Sequence, residues 1–258
     1  MKKKFKGIKS MPIVKVNDIN MYYEIHGEDE PLVMIMGWGG NFTTFGIPEL
    51  ISKYSQEYKV IAFDNRGSGR TNKPDIHYSV EMMAEDTIGL MDALKIEKAH
   101  ISGTSFGGRI AMVMAARYPE RVKGLILHVT IARLSSALQN SAKSSLETED
   151  SRKEEIKKAE MLFQMEYPPT HESYLRQLEA GAIFDGRKFL GDIKAPTLIV
   201  NGTNDFFVPI ECTKELAAGI KNSKLVLVEG GDHMFAVMNP DLLIKPALEF
   251  LEEIDLKS

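Results

Sequence analysis

Short apolar runs alternate along the chain with segments of helical character. Ile19–Ile25 (INMYYEI) reads as a strand. Leu32–Met36 (LVMIM) reads as a wholly apolar strand ending at Gly37, and Lys59–Asp64 (KVIAFD) as another, ending in Asn-Arg-Gly-Ser-Gly-Arg. Lys98–Gly103, Lys123–Val129, Pro196–Gly202 and Lys224–Gly230 continue the series. Continuous apolar runs of this length suit strands covered on both faces of a mostly parallel sheet. Between them, Val80–Leu94, Gly107–Tyr118, Ile210–Ile220 and Pro240–Ile254 read as helices. Strand alternating with helix predicts an α/β fold built on a doubly wound, mostly parallel sheet. No internal repeat is visible.

The alternation breaks at residues 132–189. This stretch holds no strand candidate and is helical, charged and amphipathic, with Glu147–Lys158 reading as a solvated helix face. A stretch of about 55 residues is too long for a plain connection between strands. It reads as a helical insertion in one core domain. The expected organisation is a basic tail at 1–10, a core formed by 11–131 and 190–258, and the insertion at 132–189.

Composition narrows the function classes. Of 258 residues, 43% are hydrophobic, enough for a sizeable core, and 26% are charged, an ordinary soluble surface. The net charge of −4 gives no electrostatic reason to expect nucleic acid as a partner. The basic run MKKKFKGIK lacks the apolar segment of a signal peptide and reads as a solvated tail. No segment approaches the roughly 18 apolar residues of a membrane span. Cys212 is the only cysteine, so no internal disulfide forms, which fits a cytoplasmic setting. Oligomeric state is not readable from these features.

The chemistry starts at Gly103-Thr104-Ser105-Phe106-Gly107, a G-x-S-x-G pattern with a strand before it and a helix after it. In that context the serine takes a strained backbone and exposes its hydroxyl at the strand's C-terminal end. A serine hydroxyl needs a base to react at neutral pH. His100 and His128 fall in apolar strands and read as core histidines, with a pocket-lining role open for His128. His26, His77 and His171 lie in loops on the N-terminal side or in the insertion. His233 follows the last strand in Glu-Gly-Gly-Asp-His-Met-Phe, at the same sheet edge as Ser105. The base in turn needs a carboxylate to set its tautomer. Asp205 follows strand Pro196–Gly202 and is preferred over Asp232, whose position next to His233 makes a good side-chain contact difficult.

The order Ser105, Asp205, His233 is the Ser…acid…His order of the α/β-hydrolases, and the chain resembles that family. The resemblance rests on MGWGG, FDNRGSGRT, GTSFGG, ARYPERVKGLIL, NGTNDFFVP and GGDHMF, which fall in the family's order and span nearly the whole chain. It implies the α/β-hydrolase fold, with the insertion as a helical cap after the sixth strand. It implies an oxyanion hole made by the backbone N–H groups of Trp38 and Phe106. The family's usual His-Gly pair in the first of these loops is Met36-Gly37 here. The implied activity is a serine hydrolase acting on a small or medium carboxylic ester or lactone through an acyl-enzyme. C–C bond hydrolases and cofactor-free perhydrolases of the family use the same three residues. A non-catalytic ligand-binding member is the reading from a different class. Met36, Met161, Met165 and Met234 are candidates for an adaptable apolar pocket. FDNRGSGRT lacks the ending of a phosphate loop, no dinucleotide fingerprint follows a strand, and no His/Cys cluster suggests a metal, so no cofactor is expected.

Overall fold

The computed structural model describes residues 12–256 apart from residue 45, so the basic run at 1–10 lies outside the described residues. Eight strands form one sheet: β1 (Ile13–Val16), β2 (Ile19–His26), β3 (Pro31–Ile35), β4 (Lys59–Phe63), β5 (Ala99–Thr104), β6 (Val122–His128), β7 (Thr197–Gly202) and β8 (Ser223–Val228). Their order is β1-β2-β4-β3-β5-β6-β7-β8. β2 pairs antiparallel with β1 and β4, and every other pairing is parallel.

The helices are α1 (Ile47–Tyr54), α2 (Val80–Ala93), α3 (Phe106–Arg117), α4 (Ser136–Glu147), α5 (Glu149–Lys158), α6 (Glu160–Phe163), α7 (His171–Ile183), α8 (Arg187–Leu190), α9 (Ile210–Gly219), α10 (Phe235–Met238) and α11 (Asp241–Asp255). Local chemistry marks several starts. Ser79 caps α2 through its hydroxyl, which accepts from Met82 N, and Thr148 and Thr170 form reciprocal capping boxes with Ser151 and Ser173.

The apolar runs find the environment their pattern calls for. The central strands β3 and β5 are almost entirely buried. One core lies on the side of α2 and α3, joining Val33, Ile35 and Ile101 to Met83, Ile110 and Val113. The other lies on the side of α1 and α11, joining Leu32, Met34 and Ile126 to Leu50, Leu243 and Phe250. Each fully buried aliphatic side chain contributes about 1.5–3 kcal/mol of transfer free energy. β8 departs from the expected double burial: it is an edge strand, partly exposed along its length. Residues 132–189 are helical as expected, and their one strand-like feature is an isolated bridge between Arg133 and Asp185.

The strand order explains where a site forms. After β3 the chain moves to β4 on one side, and β5 then returns to the other side of β3. The loops leaving β3 and β5 therefore diverge and open a crevice at the C-terminal edge of the sheet, the usual ligand position in such folds.

Candidate active site

Ser105 sits between β5 and α3 with φ 52° and ψ −114°. A non-glycine residue there carries backbone strain of order 1–3 kcal/mol. The surroundings hold it. Its N–H donates to His128 O at 3.0 Å, and its carbonyl accepts from Gly108 N at 3.0 Å and from the Thr130 hydroxyl. The flanking glycines are needed for space. A Cβ on Gly107 would come within 2.2 Å of Ile35 O, and one on Gly103 within 2.6 Å of Gly108 Cα.

The hydroxyl meets the residues that the loops were expected to bring. His233 Nε2 lies 3.2 Å from Ser105 Oγ, and His233 Nδ1 lies 2.8 Å from Asp205 Oδ2. Asp205 is buried, and its Oδ1 accepts from Phe207 N and Val208 N at 2.9 Å each. That pair of N–H bonds orients the carboxylate and leaves Oδ2 for the imidazole. Asp232 is turned elsewhere: its Oδ1 accepts from Met234 N at 2.8 Å.

The loop after β3 runs against the serine. A Cβ on Gly37 would lie 3.5 Å from Ser105 Cβ and 4.0 Å from its Oγ. No acceptor among the described residues takes the Trp38 backbone N–H. Phe106 is the first residue of α3, so its N–H has no intrahelical acceptor. The loop is braced from two sides. Asn65 Nδ2 donates to Met36 O at 2.9 Å. Gln177 of α7, fully buried, accepts from Gly39 N at 2.9 Å through Oε1, while its backbone oxygen accepts from Trp38 Nε1 at 3.0 Å. The Trp38 ring stacks on Phe106 with centroids 5.4 Å apart.

Beside these groups lies a cavity of about 540 Å³. The core supplies its floor, and Leu138, Ala142, Met161, Tyr174 and Leu178 from the helices between β6 and β7 supply its roof. Met36, Met161 and Met234 line it; Met165, expected beside them, does not. The spacing explains the exception, because Met161 and Met165 are separated by the end of α6 and a turn. A second hollow, of about 510 Å³, lies at the opposite sheet edge, where β3 and β4 begin, and contains none of these groups. Among the described residues no cluster of three or more His, Cys, Asp or Glu is placed to hold a metal ion.

Several lining residues were not read from the sequence. Parallel pairing sets Thr104 beside His128, and Thr104 Oγ1 lies 2.8 Å from His128 Nε2. Burial, with a smaller contribution from the nearby His233 ring, pulls the His128 pKa down to about 3, so this ring is neutral in the cavity wall. Val129 follows with φ 45°, a strained position for a β-branched side chain. Phe207 packs its ring 5.3 Å from the His233 ring. Arg109 also reaches the cavity, and one signal for it was available: it is the cation in the otherwise apolar Gly107–Ala116 stretch of α3.

Comparison with known proteins places this arrangement. Residues 30–150 match the model of the alpha/beta hydrolase fold, and residues 184–251 match that of TAP-like proteins. A protein from Azorhizobium caulinodans named "Putative carbamate hydrolase RutD" is 32% identical over 95% of this chain and 100% of its own length. A protein of the same name from Agrobacterium fabrum is 28% identical over 91% and 99%. Among solved structures, the enol-lactonase from Burkholderia xenovorans LB400 superposes with a TM-score of 0.79, at 26% identity over 93% of this chain and 100% of that one. A meta-cleavage product hydrolase from Pseudomonas fluorescens IP01 superposes with a TM-score of 0.75, at 26% identity over 95% and 99%. With relatives matched from end to end and an eight-stranded, mostly parallel sheet to match, the chain belongs to the α/β-hydrolase family.

Proposed function

We propose that this hydrolase is a serine enzyme that cleaves a small or medium carboxylic ester or lactone, with Ser105 as nucleophile, His233 as base and Asp205 as the acid. The observation that carries the reading is the continuous hydrogen-bonded row from Ser105 Oγ through His233 to Asp205 Oδ2, opening on a largely apolar cavity. Ser105 Oγ attacks the carbonyl carbon while His233 Nε2 takes its proton. The oxyanion is received by the N–H groups of Trp38 and Phe106. Collapse expels the alcohol, which leaves with the proton from His233, and an acyl-serine remains. Water then attacks, His233 again takes the proton, and the carboxylic acid departs as Ser105 recovers its hydrogen.

The helices α4–α8 act in this reading as a cap that decides which substrates fit. Their contribution of roof residues, and the Gln177 bonds that tie α7 to the Trp38 loop, support that role. Cysteine usage favours the cytoplasm: Cys212 is free. No helix among the described residues is long and apolar enough to cross a membrane.

A second reading, carbamate hydrolysis, is favoured by the names of full-length relatives. A carbamate carbonyl is attacked through the same steps, so the two readings differ in the group held by the cavity. C–C bond hydrolysis stands behind both, on the likeness to the meta-cleavage product hydrolase.

A fluorophosphonate probe tests the shared step. Single labelling, on Ser105, with none in Ser105→Ala, is the expected outcome. A folded protein that stays unlabelled at neutral pH overturns the serine mechanism. p-Nitrophenyl esters of graded chain length, lactones and aryl carbamates, assayed side by side, then separate the substrate classes.

A further inference from the structure

Arg109 is buried, with 4% of its surface exposed, and lines the cavity. Its single hydrogen bond among the described residues runs from Nη1 to Gly181 O at 2.9 Å, and its enclosed Nε has no partner. Other buried ionic side chains in this molecule are paired. Arg66 bonds Asp86 and Asp18, Asp64 bonds Arg70, and Asp205 bonds His233. Arg109 has the face of Trp38 5.2 Å away, which offsets only part of the loss of water around a guanidinium.

The carboxylate that shares the cavity wall is engaged elsewhere. Glu155 accepts from Ser145 Oγ at 3.0 Å and Tyr174 OH at 3.2 Å, with Lys158 Nζ at 3.5 Å. Burial alone acts on the Arg109 proton, lowering its pKa to about 10; no acid among the described residues pulls the other way. The group is therefore a cation at neutral pH. A buried, charged and incompletely bonded guanidinium is costly unless something supplies the missing anion.

Position says where that anion sits. Arg109 lies four residues after Ser105, so its backbone stands one helical turn, about 6 Å of rise along α3, from that of the nucleophile. A guanidinium fork donates two parallel N–H bonds to a carboxylate.

We propose that Arg109 is the anion-recognition residue of this cavity, and that the substrate carries a carboxylate a few atoms from its scissile carbonyl. The proposal rests on the hydrolase reading for the word scissile, and on the cavity alone for the anion.

Binding is tested first, without turnover. Trp38 is the only tryptophan and stands between Arg109 and Phe106, so its fluorescence reports ligand entry. Ser105→Ala protein is titrated with monoethyl succinate, an anion, and with diethyl succinate, its neutral counterpart. The anion is expected to bind at least about tenfold more tightly, the scale of one charge-assisted hydrogen bond. Adding Arg109→Met removes the preference, and Arg109→Lys keeps part of it. Equal affinity for the two ligands in Ser105→Ala overturns the proposal, whatever the Arg109 variants do.

Kinetics then separate recognition from a structural role. With Ser105 intact, the ratio of kcat/KM for p-nitrophenyl hydrogen succinate over p-nitrophenyl butyrate is expected to fall at least about tenfold in Arg109→Met. A parallel loss on both esters, with the ratio unchanged, marks Arg109 as a brace for α7 and overturns the proposal. Anion-selective binding in a protein that hydrolyses no ester supports the anion site while overturning the hydrolase reading.

Discussion

Asp205 divides its work between two oxygens. One is held by the N–H groups of Phe207 and Val208, and the other faces His233 at 2.8 Å. Asparagine at this position keeps the shape but presents an amide N–H to the ring, which favours the wrong imidazole tautomer. In the serine-protease example of that substitution, kcat falls about 10⁴-fold, roughly 5 kcal/mol of transition-state stabilisation. For the proposed mechanism, Asp205→Asn is expected to lose at least about 10²-fold in kcat with the fold retained. Asp232→Asn is expected to lose far less, because that carboxylate bonds Met234 N and is exposed. Steady-state kinetics on both variants decide it, and a larger loss in Asp232→Asn reverses the assignment. These three residues were legible because each follows a strand recognisable by its apolar run, and strand ends in a parallel sheet converge. Met165, expected in the cavity, and Arg109, not singled out, were not, while a pocket-lining role had been open for His128. Whether such a side chain meets a cavity depends on how the insertion helices lie on the core, which no local pattern states.

Among the elements, the buried strands and the core helices α2, α3, α9 and α11 were read within a residue or two, the strands because burial on both faces demands a continuous apolar run. β1 and α1 escaped. Ile13–Val16 is a four-residue edge strand with one buried position, and α1 opens at Gly46 in the left-handed region, without a side-chain cap, and has proline in its first turn. The charged, amphipathic character of the insertion was visible, but the way its helices close over the site was not. Tyr174 and Leu178 of α7 face the cavity, and the same helix anchors Trp38 through Gln177. Under the proposed cap role, shaving the roof without touching those anchors changes selectivity. Leu178→Ala is expected to move the preferred p-nitrophenyl ester to acyl chains longer by two or three carbons. It also costs about 2–5 kcal/mol of stability, as buried leucines do when truncated. A folded Leu178→Ala protein with the wild-type chain-length profile removes α7 from the substrate site.

For the molecule as a whole, the sheet order assembles one reactive edge from loops far apart in the chain, and it also encloses histidines that water would otherwise protonate. His128 is buried at the end of β6, and its pKa of about 3 lies far below the 6.5 of a free imidazole. His100, buried in β5, is shifted in the same direction, chiefly by burial, against the pull of Asp255 at 3.0 Å. The unfolded chain therefore binds more protons than the folded one between those limits, and stability falls as pH drops below 6.5. Asp255, held low by Lys123, His100 and Tyr58 against its own burial, adds a loss that begins only as pH falls below 3.8. At pH 4.5 the titration of His128 alone amounts to roughly 2–3 kcal/mol, two units at 1.36 kcal/mol each. His128→Gln retains a side-chain amide opposite Thr104 Oγ1 and removes the titrating ring. Urea unfolding at pH 7.5 and pH 4.5 is expected to show a stability difference smaller by that amount in the variant than in the wild type. An undiminished difference in His128→Gln places the acid sensitivity of the fold in groups other than this ring.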